Sequence, residues 1–224
     1  MNPILLLLAT LPGVLISYAI FRADKYEREP LVPMLLCFGF GAALTVPAVN
    51  IEKWSFDLIA NQDGSFWPTF LLAFGAVAFN EEVLKFAVLV LVAFPRSFFN
   101  EPFDGIVYAV LAAMGFATLE NITYADRFGA ETVFLRMFTA VPAHLVFAIV
   151  QGYFAGLARF GAANPVQKML QGLGLAILLH GTYDFLIFQN WSDWLFVFGT
   201  VALYLCLFYC SRLIKEHLDN SPFR

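Results

Sequence analysis

Charge is scarce in this sequence. Only 13% of its 224 residues are Asp, Glu, Lys or Arg, where a water-soluble domain carries about 25%. That shortage excludes an ordinary solvated surface. There is no basic run, so nothing points to a nucleic-acid partner. Cysteine is equally sparse. Cys37, Cys206 and Cys210 all lie in apolar stretches, an odd number with no disulfide framework. Cys206 and Cys210 stand one helical turn apart, yet in such a stretch they read as small apolar residues rather than a metal pair. No internal repeat of solenoid length is visible. The first apolar run lacks a basic segment before it and a small-x-small cleavage site after it, so residues 3–21 read as a retained membrane helix rather than a cleaved signal.

Apolar side chains fill the space that charge leaves. The chain is 60% hydrophobic, holds 26 Phe and has a mean hydropathy of +0.74. Crossing the hydrocarbon core takes about 20 helical residues, so the chain has room for about seven crossings, at most about eight, and little else. The expected fold is all-α: a polytopic transmembrane bundle forming a single domain over residues 1–224. Helices are predicted over about 3–21, 32–51, 68–93, 105–123, 134–158, 168–188 and 195–213. Pro47 and Pro142 fall inside the second and fifth. The breaks are a polar stretch from Glu52 to Ser65 with Asn61, Asp63 and Gly64, the segment Pro95 to Pro102, a loop from Asp126 to Glu131, a break from Gly161 to Pro165, and a turn from Gln189 to Asp193. Trp191 and Trp194 suit the membrane–water interface. The polar tail Lys215–Arg224 should leave His217 solvated. Small residues four apart, as in Gly152-x-x-x-Gly156, suit close helix contact in lipid.

The cations divide unevenly between the two sides. Arg22, Lys25, Arg28, Arg96, Arg159, Lys168, Arg212, Lys215 and Arg224 fall on one side; Lys53, Arg127 and Arg136 fall on the other. The positive-inside rule then puts the N-terminus outside and the C-terminus in the cytoplasm.

Several residues do not belong in lipid. The third predicted helix carries Glu81, Glu82 and Lys85, with Lys85 four and three residues after the two glutamates and so on their face. The fourth carries Glu120, with Phe116 one turn before it. The fifth carries His144, and the sixth carries His180 and Asp184 at i,i+4. A charge at a helix centre costs about 2.5–3.5 kcal/mol, so five isolated ones would cost about 12–17 kcal/mol, comparable to a domain's whole stability. These groups should therefore converge inside the bundle, from its midplane toward the outer leaflet. Carboxylates and imidazoles on facing helices are the donors of a zinc site, whose bound water reaches a pKa near 7 with a Glu as general base. Without metal, a buried Glu can activate water itself. Each group also has a structural reading: Glu81–Lys85 as a neutralised pair, His144 as a helix contact, Glu120 beside Asn121 as an interfacial end, and His180–Asp184 as a local hydrogen bond. Their joint occurrence on four helices favours a site.

Read together, Glu81-Glu82-x-x-Lys85, Phe116-x-x-x-Glu120 and His180-x-x-x-Asp184, with His144 in Pro-Ala-His-Leu and the loop Asp24-Lys-Tyr-Glu-Arg-Glu-Pro30, resemble the PrsW family of intramembrane proteases over about residues 20–190. Related CAAX prenyl proteases and bacteriocin-processing membrane enzymes begin EExxxR, and Lys at the shorter spacing favours the PrsW branch. The resemblance implies a peptidase that cuts membrane-anchored proteins near the outer face, as family members cut an anti-sigma factor at the first step of a signalling cascade. It implies Glu81 or Glu82 as general base or metal ligand and Lys85 as neutraliser. Glu120, His144, His180 and Asp184 would be ligands or transition-state stabilisers, with Glu82, His144, His180 and Asp184 as the set for zinc. Both metallo- and glutamate-protease descriptions exist for the family, so zinc and a metal-independent site both stay open. The expected partners are a membrane-anchored protein substrate and the bilayer. A proton- or ion-coupled transporter or channel is the competing reading, since intramembrane acids and histidines also make proton relays; such transporters show repeated halves, and no such symmetry is visible.

Overall fold

The computed structural model describes residues 2–59, 65–161, 163–189 and 191–224. Asn61, Asp63 and Gly64, and parts of the breaks at 161–165 and 189–193, lie outside the described residues. The described chain is helical throughout, without strands: α1 (Pro3–Ala23), α2 (Leu31–Ile59), α3 (Phe66–Phe70), α4 (Asn80–Val88), α5 (Asp104–Phe138), α6 (Ala140–Phe160), α7 (Pro165–Phe188) and α8 (Trp194–Asp219). Leu71–Phe79 and Leu89–Ala93 continue the helix on either side of α4 as π-helical turns, a rare form that concentrates at functional sites. Among the described residues, six helices are long and apolar enough to cross a membrane. The remaining apolar run, 66–93, is helical from end to end but changes winding three times, so none of its pieces alone has that length.

Helix α5 is the centre of the bundle. Every residue from Glu101 to Thr118 is buried, and α1, α2, α4 and α6 all pack against it, with α7 and α8 beyond α6. Close approach is possible because the contacts are lined by small residues. A Cβ on Gly41 would strike the Ala112 carbonyl, one on Gly115 the Phe38 carbonyl, and one on Gly152 the Gly105 carbonyl. With no water in the bilayer core to drive association, such backbone-to-backbone packing is what joins helices. Thr45 adds a hydroxyl hydrogen bond to the Phe116 carbonyl at 3.1 Å. The outward faces carry Leu7, Val14, Leu15, Leu35, Phe40, Phe198, Leu205 and Phe208, all exposed. Exposed apolar faces of this kind belong in lipid, and the chain is an integral membrane protein.

Three boundaries differ from the sequence reading. Helix α2 runs on to Ile59, because the polar residues after Ile51 extend the helix beyond its apolar span rather than ending it. The predicted loop 126–131 is helical except at Gly129, with φ 79° and ψ −165°, a conformation that glycine adopts without strain. The chain folds back there, so residues 130–138 belong to α5 and α6 starts only at Ala140. Pro142 therefore sits in the first turn of α6, where the missing N–H costs no helical hydrogen bond. Finally, α8 continues to Asp219, so His217 is not solvated. It is 1% exposed, stacks on Tyr153 at 4.5 Å and shares a 2.9 Å hydrogen bond with the Tyr153 carbonyl.

At the end of the bundle where α1 passes into α2, Asp24 is buried beside other acids. Burial, and then the Glu101 and Asp104 carboxylates, push it up to about 7. An acid raised in the folded state loses stability as pH climbs from its unfolded value toward its folded one.

The glycine contacts give a direct test of the packing. Replacing Gly152 by Val should lower the thermal midpoint in detergent micelles, at a cost of about 1–3 kcal/mol for overpacking. Gly39→Ala should leave it unchanged or slightly raised, because a Cβ at Gly39 meets nothing within 4 Å.

Candidate active site

Four helices deliver polar side chains to one place. Helix α4 is a single short stretch between two π-helical turns, and it places Glu81, Glu82 and Lys85 on one inward face. All three are 3% exposed or less. Lys85 is the hub. Its ammonium lies 3.1 Å from Glu81 Oε2, 2.6 Å from Glu82 Oε1 and 3.1 Å from His144 Nδ1. An ammonium has three N–H donors, and here each has an acceptor. The Phe116 ring stands 4.9 Å away as a cation–π neighbour.

Two branches leave this hub. In one, His144 on α6 accepts a hydrogen bond from the Lys85 ammonium at Nδ1, which leaves Nε2 as its donor, 3.0 Å from Glu120 Oε2; the tautomer follows from these partners. Glu120 on α5 also pairs with Arg136 Nη2 at 2.7 Å, and Arg136 Nε donates to Asn121 Oδ1 at 2.7 Å. A straight helix would set residues 120 and 136 about 24 Å apart. The reversal at Gly129 is what brings the guanidinium back. In the other branch, Glu82 Oε1 meets His180 Nδ1 at 2.8 Å, and Glu82 Oε2 accepts from Gln151 Nε2 at 2.8 Å. His180 Nε2 lies 3.2 Å from Asp184 Oδ2, one turn along α7, and Phe147 stacks on the His180 ring at 4.7 Å.

All seven residues singled out in the sequence thus belong to one connected network. They do not play equal parts. A cavity of about 290 Å³ is lined by Glu81, Glu120, His144, His180 and Asp184. Glu82 and Lys85 are not among its lining residues and hold the walls from behind. Glu52, Tyr124, Arg136 and Tyr183 also line the cavity, with Phe56, Val77, Phe147, Ile187 and Phe196 as its apolar part. It lies toward the end of the bundle formed by the C-terminal parts of α2, α5 and α7 and the start of α8.

The expected zinc set divides. Among the described residues, the donor atoms that lie within 4.8 Å of one another at this site come from Glu81, Glu82 and His144. His180 pairs with Asp184 and with Glu82 instead. The Lys85 ammonium lies within hydrogen-bond reach of all three members of that triad, where a metal would have to sit.

Sequence reasoning missed Arg136, Gln151, Glu52 and Tyr183. By sequence Arg136 falls among the loop cations, although it stands in the first turn of the predicted fifth helix. Gln151 lies mid-helix and carries no charge, so a search for ionisable groups passed over it; an amide between Val150 and Gly152 was nevertheless a signal.

Known sequences identify the family. The sequence model described as "PrsW family intramembrane metalloprotease" matches residues 29–211. The chain belongs to the PrsW family. Proteins named Protease PrsW from Bacillus subtilis (strain 168) and Clostridioides difficile (strain 630) are 33% and 31% identical to it, the first over 93% of this chain and 94% of that protein, the second over 96% and 89%. The Protease PrsW of Oceanobacillus iheyensis is 34% identical over 92% of this chain and 94% of its own length. No solved structure matches significantly. PrsW membership makes the chain a membrane-embedded peptidase and sets aside the transporter reading.

The hub sets a stability test. Lys85→Met leaves two buried carboxylates uncompensated and should cost about 3–5 kcal/mol, read as a drop in the thermal midpoint in detergent. Adding Glu82→Gln to Lys85→Met should recover part of the loss; no loss in the single variant would mean that the ammonium does not bind the pair.

Proposed function

We propose that this PrsW-family chain hydrolyses peptide bonds of membrane-anchored proteins in the α4–α7 cavity, with Glu81 activating the attacking water and without a bound metal. One observation carries the choice of base. Glu82 is fully engaged, by Lys85 and His180 on one oxygen and Gln151 on the other, whereas Glu81 lines the cavity and gives Lys85 one oxygen only.

The donors Glu81, Glu82 and His144 are of types that zinc accepts. They do not fit a metal while Lys85 stays in place, since an ammonium and a divalent cation at one point repel strongly. The reaction therefore runs on protein groups. Glu81 takes a proton from water as its oxygen attacks the scissile carbonyl carbon. The same proton then passes to the amide nitrogen as the C–N bond breaks, leaving a carboxylic acid and an amine. His144 and His180, each oriented by a carboxylate, wall the site. Arg136 keeps N–H groups beyond those used by Glu120 and Asn121, and these are suited to the oxyanion of the tetrahedral intermediate. The apolar lining receives substrate side chains.

The uneven cation count supports a topology in which the cavity end faces outward and the N-terminus is outside, in a bacterial inner membrane. A substrate would then be cut near the outer face, the geometry of a first-site cleavage such as that of an anti-sigma factor.

Reconstituted cleavage of a membrane-anchored peptide tests the role of Glu81. Glu81→Gln should reduce the rate by about 10²–10⁴-fold in protein that remains folded; unchanged cleavage would remove Glu81 from the mechanism. In the same assay the zinc chelator 1,10-phenanthroline should leave the wild-type rate unaltered. Inactivation that added zinc reverses would establish a metal enzyme instead.

A further inference from the structure

A second acidic cluster lies at the opposite end of the bundle, apart from the cavity. It joins the α1–α2 loop, the turn before α5 and the C-terminal tail. Asp24, Glu29, Glu101 and Asp104 are 1%, 4%, 0% and 0% exposed, and donor atoms of Glu27, Glu29 and Asp104 lie within 4.8 Å of one another.

The hydrogen bonding follows one pattern. Each buried carboxylate has one oxygen tied to the protein. Asp24 Oδ2 accepts from the Glu29 N–H at 3.3 Å. Asp104 Oδ2 accepts from the Asn100 and Glu101 N–H groups at 2.6 and 2.8 Å. Glu29 accepts from the Tyr108 hydroxyl and Glu101 from the Ser221 hydroxyl. The second oxygen of each is buried without an N–H or hydroxyl donor: Asp24 Oδ1, Glu29 Oε1, Glu101 Oε1 and Asp104 Oδ1, with Glu27 Oε2 beside them; the acids face one another instead, Glu29 toward Asp104 and Glu101 toward Asp24. Like-charged carboxylates buried face to face need a positive group between them, a proton or a cation.

Protein cations do not supply it. Lys25 and Arg28 are interleaved with these acids in the same loop, yet both are exposed, and Arg28 lies over the Phe21 ring. Among the described residues no Lys or Arg forms an ion pair with any of the five acids. The arrangement is the converse of the active site, where Lys85 occupies the centre.

We propose that this cluster binds a hard divalent cation, Mg²⁺ or Ca²⁺, which clasps the α1–α2 loop, the start of α5 and the C-terminal tail together. All the donors are carboxylate oxygens, the set that these ions prefer, and no nitrogen or sulfur is present to favour zinc. The tethered oxygens fix the buried carboxylates in place, so the donors of Glu27, Glu29 and Asp104 already lie together without further ordering, with Asp24 and Glu101 packed around them.

Titration calorimetry of the purified full chain in detergent, stripped with EDTA, tests the site against MgCl₂ and CaCl₂ separately. The expected result is saturable binding of one ion per chain, with Kd at or below about 1 mM for the preferred ion. Glu27→Gln, at a half-buried side chain outside the tight packing, should weaken binding by about tenfold or more. Asp104→Asn should abolish it, and Glu81→Gln should bind as wild type does. Absence of binding for both ions, or equal binding by wild type and Glu27→Gln, would overturn the proposal and leave shared protons as the link between the carboxylates.

Discussion

One ammonium group, that of Lys85, holds the candidate active site together. Inside a lipid-embedded bundle a lone charge is heavily penalised, and so is a pair of adjacent carboxylates. Lys85 answers both penalties, because its three donors meet Glu81, Glu82 and His144. From those three acceptors the network spreads to Glu120 and Arg136 on one side and to His180 and Asp184 on the other. Each branch ends at the cavity wall. Orientation of the two imidazoles and partition of the two glutamates into an engaged one and a cavity-facing one follow from where that nitrogen sits, and the proposed metal-free mechanism rests on the same position.

The backbone serves this arrangement. Glycines along α2, α5 and α6 let those helices approach closely enough for side chains from four elements to meet. The two π-helical turns bracket the short α-helical piece bearing Glu81, Glu82 and Lys85. The left-handed residue Gly129 returns Arg136 to Glu120, which would otherwise lie far from it. The two ends of the bundle then differ in how negative charge is handled. At the cavity end internal cations neutralise it; at the other end five acids stand together while their neighbouring cations turn outward.

Much of this was legible in the sequence. Hydropathy located the apolar runs because a lipid environment allows few other readings, and the costly residues Glu81, Glu82, Lys85, Glu120, His144, His180 and Asp184 marked the site for the same reason. The helix-period rule also gave the Lys85 and His180–Asp184 contacts, which are local. The losses were of another kind. The turn at Gly129 is a tertiary event with no apolar-to-polar boundary to announce it, so Arg136 was counted on a loop. The extension of α8 hid the burial of His217, because polar residues beyond a span form helix as readily as tail. The division of labour between Glu81 and Glu82 is invisible to spacing, since both lie on the face that Lys85 shares; only the cavity distinguishes them. The acidic loop after α1 was noticed for its resemblance to the PrsW family, but its convergence with Glu101 and Asp104 needed three dimensions.

The central claim is that the positive charge among Glu81, Glu82 and His144 is the Lys85 side chain. An experimental structure of the active protein in lipid, prepared with zinc present and recorded with anomalous scattering at the zinc edge, tests it most directly. The expected result is Lys85 Nζ within hydrogen-bond distance of all three acceptors and no anomalous signal between them. A zinc peak at that position, with Lys85 displaced, would contradict it.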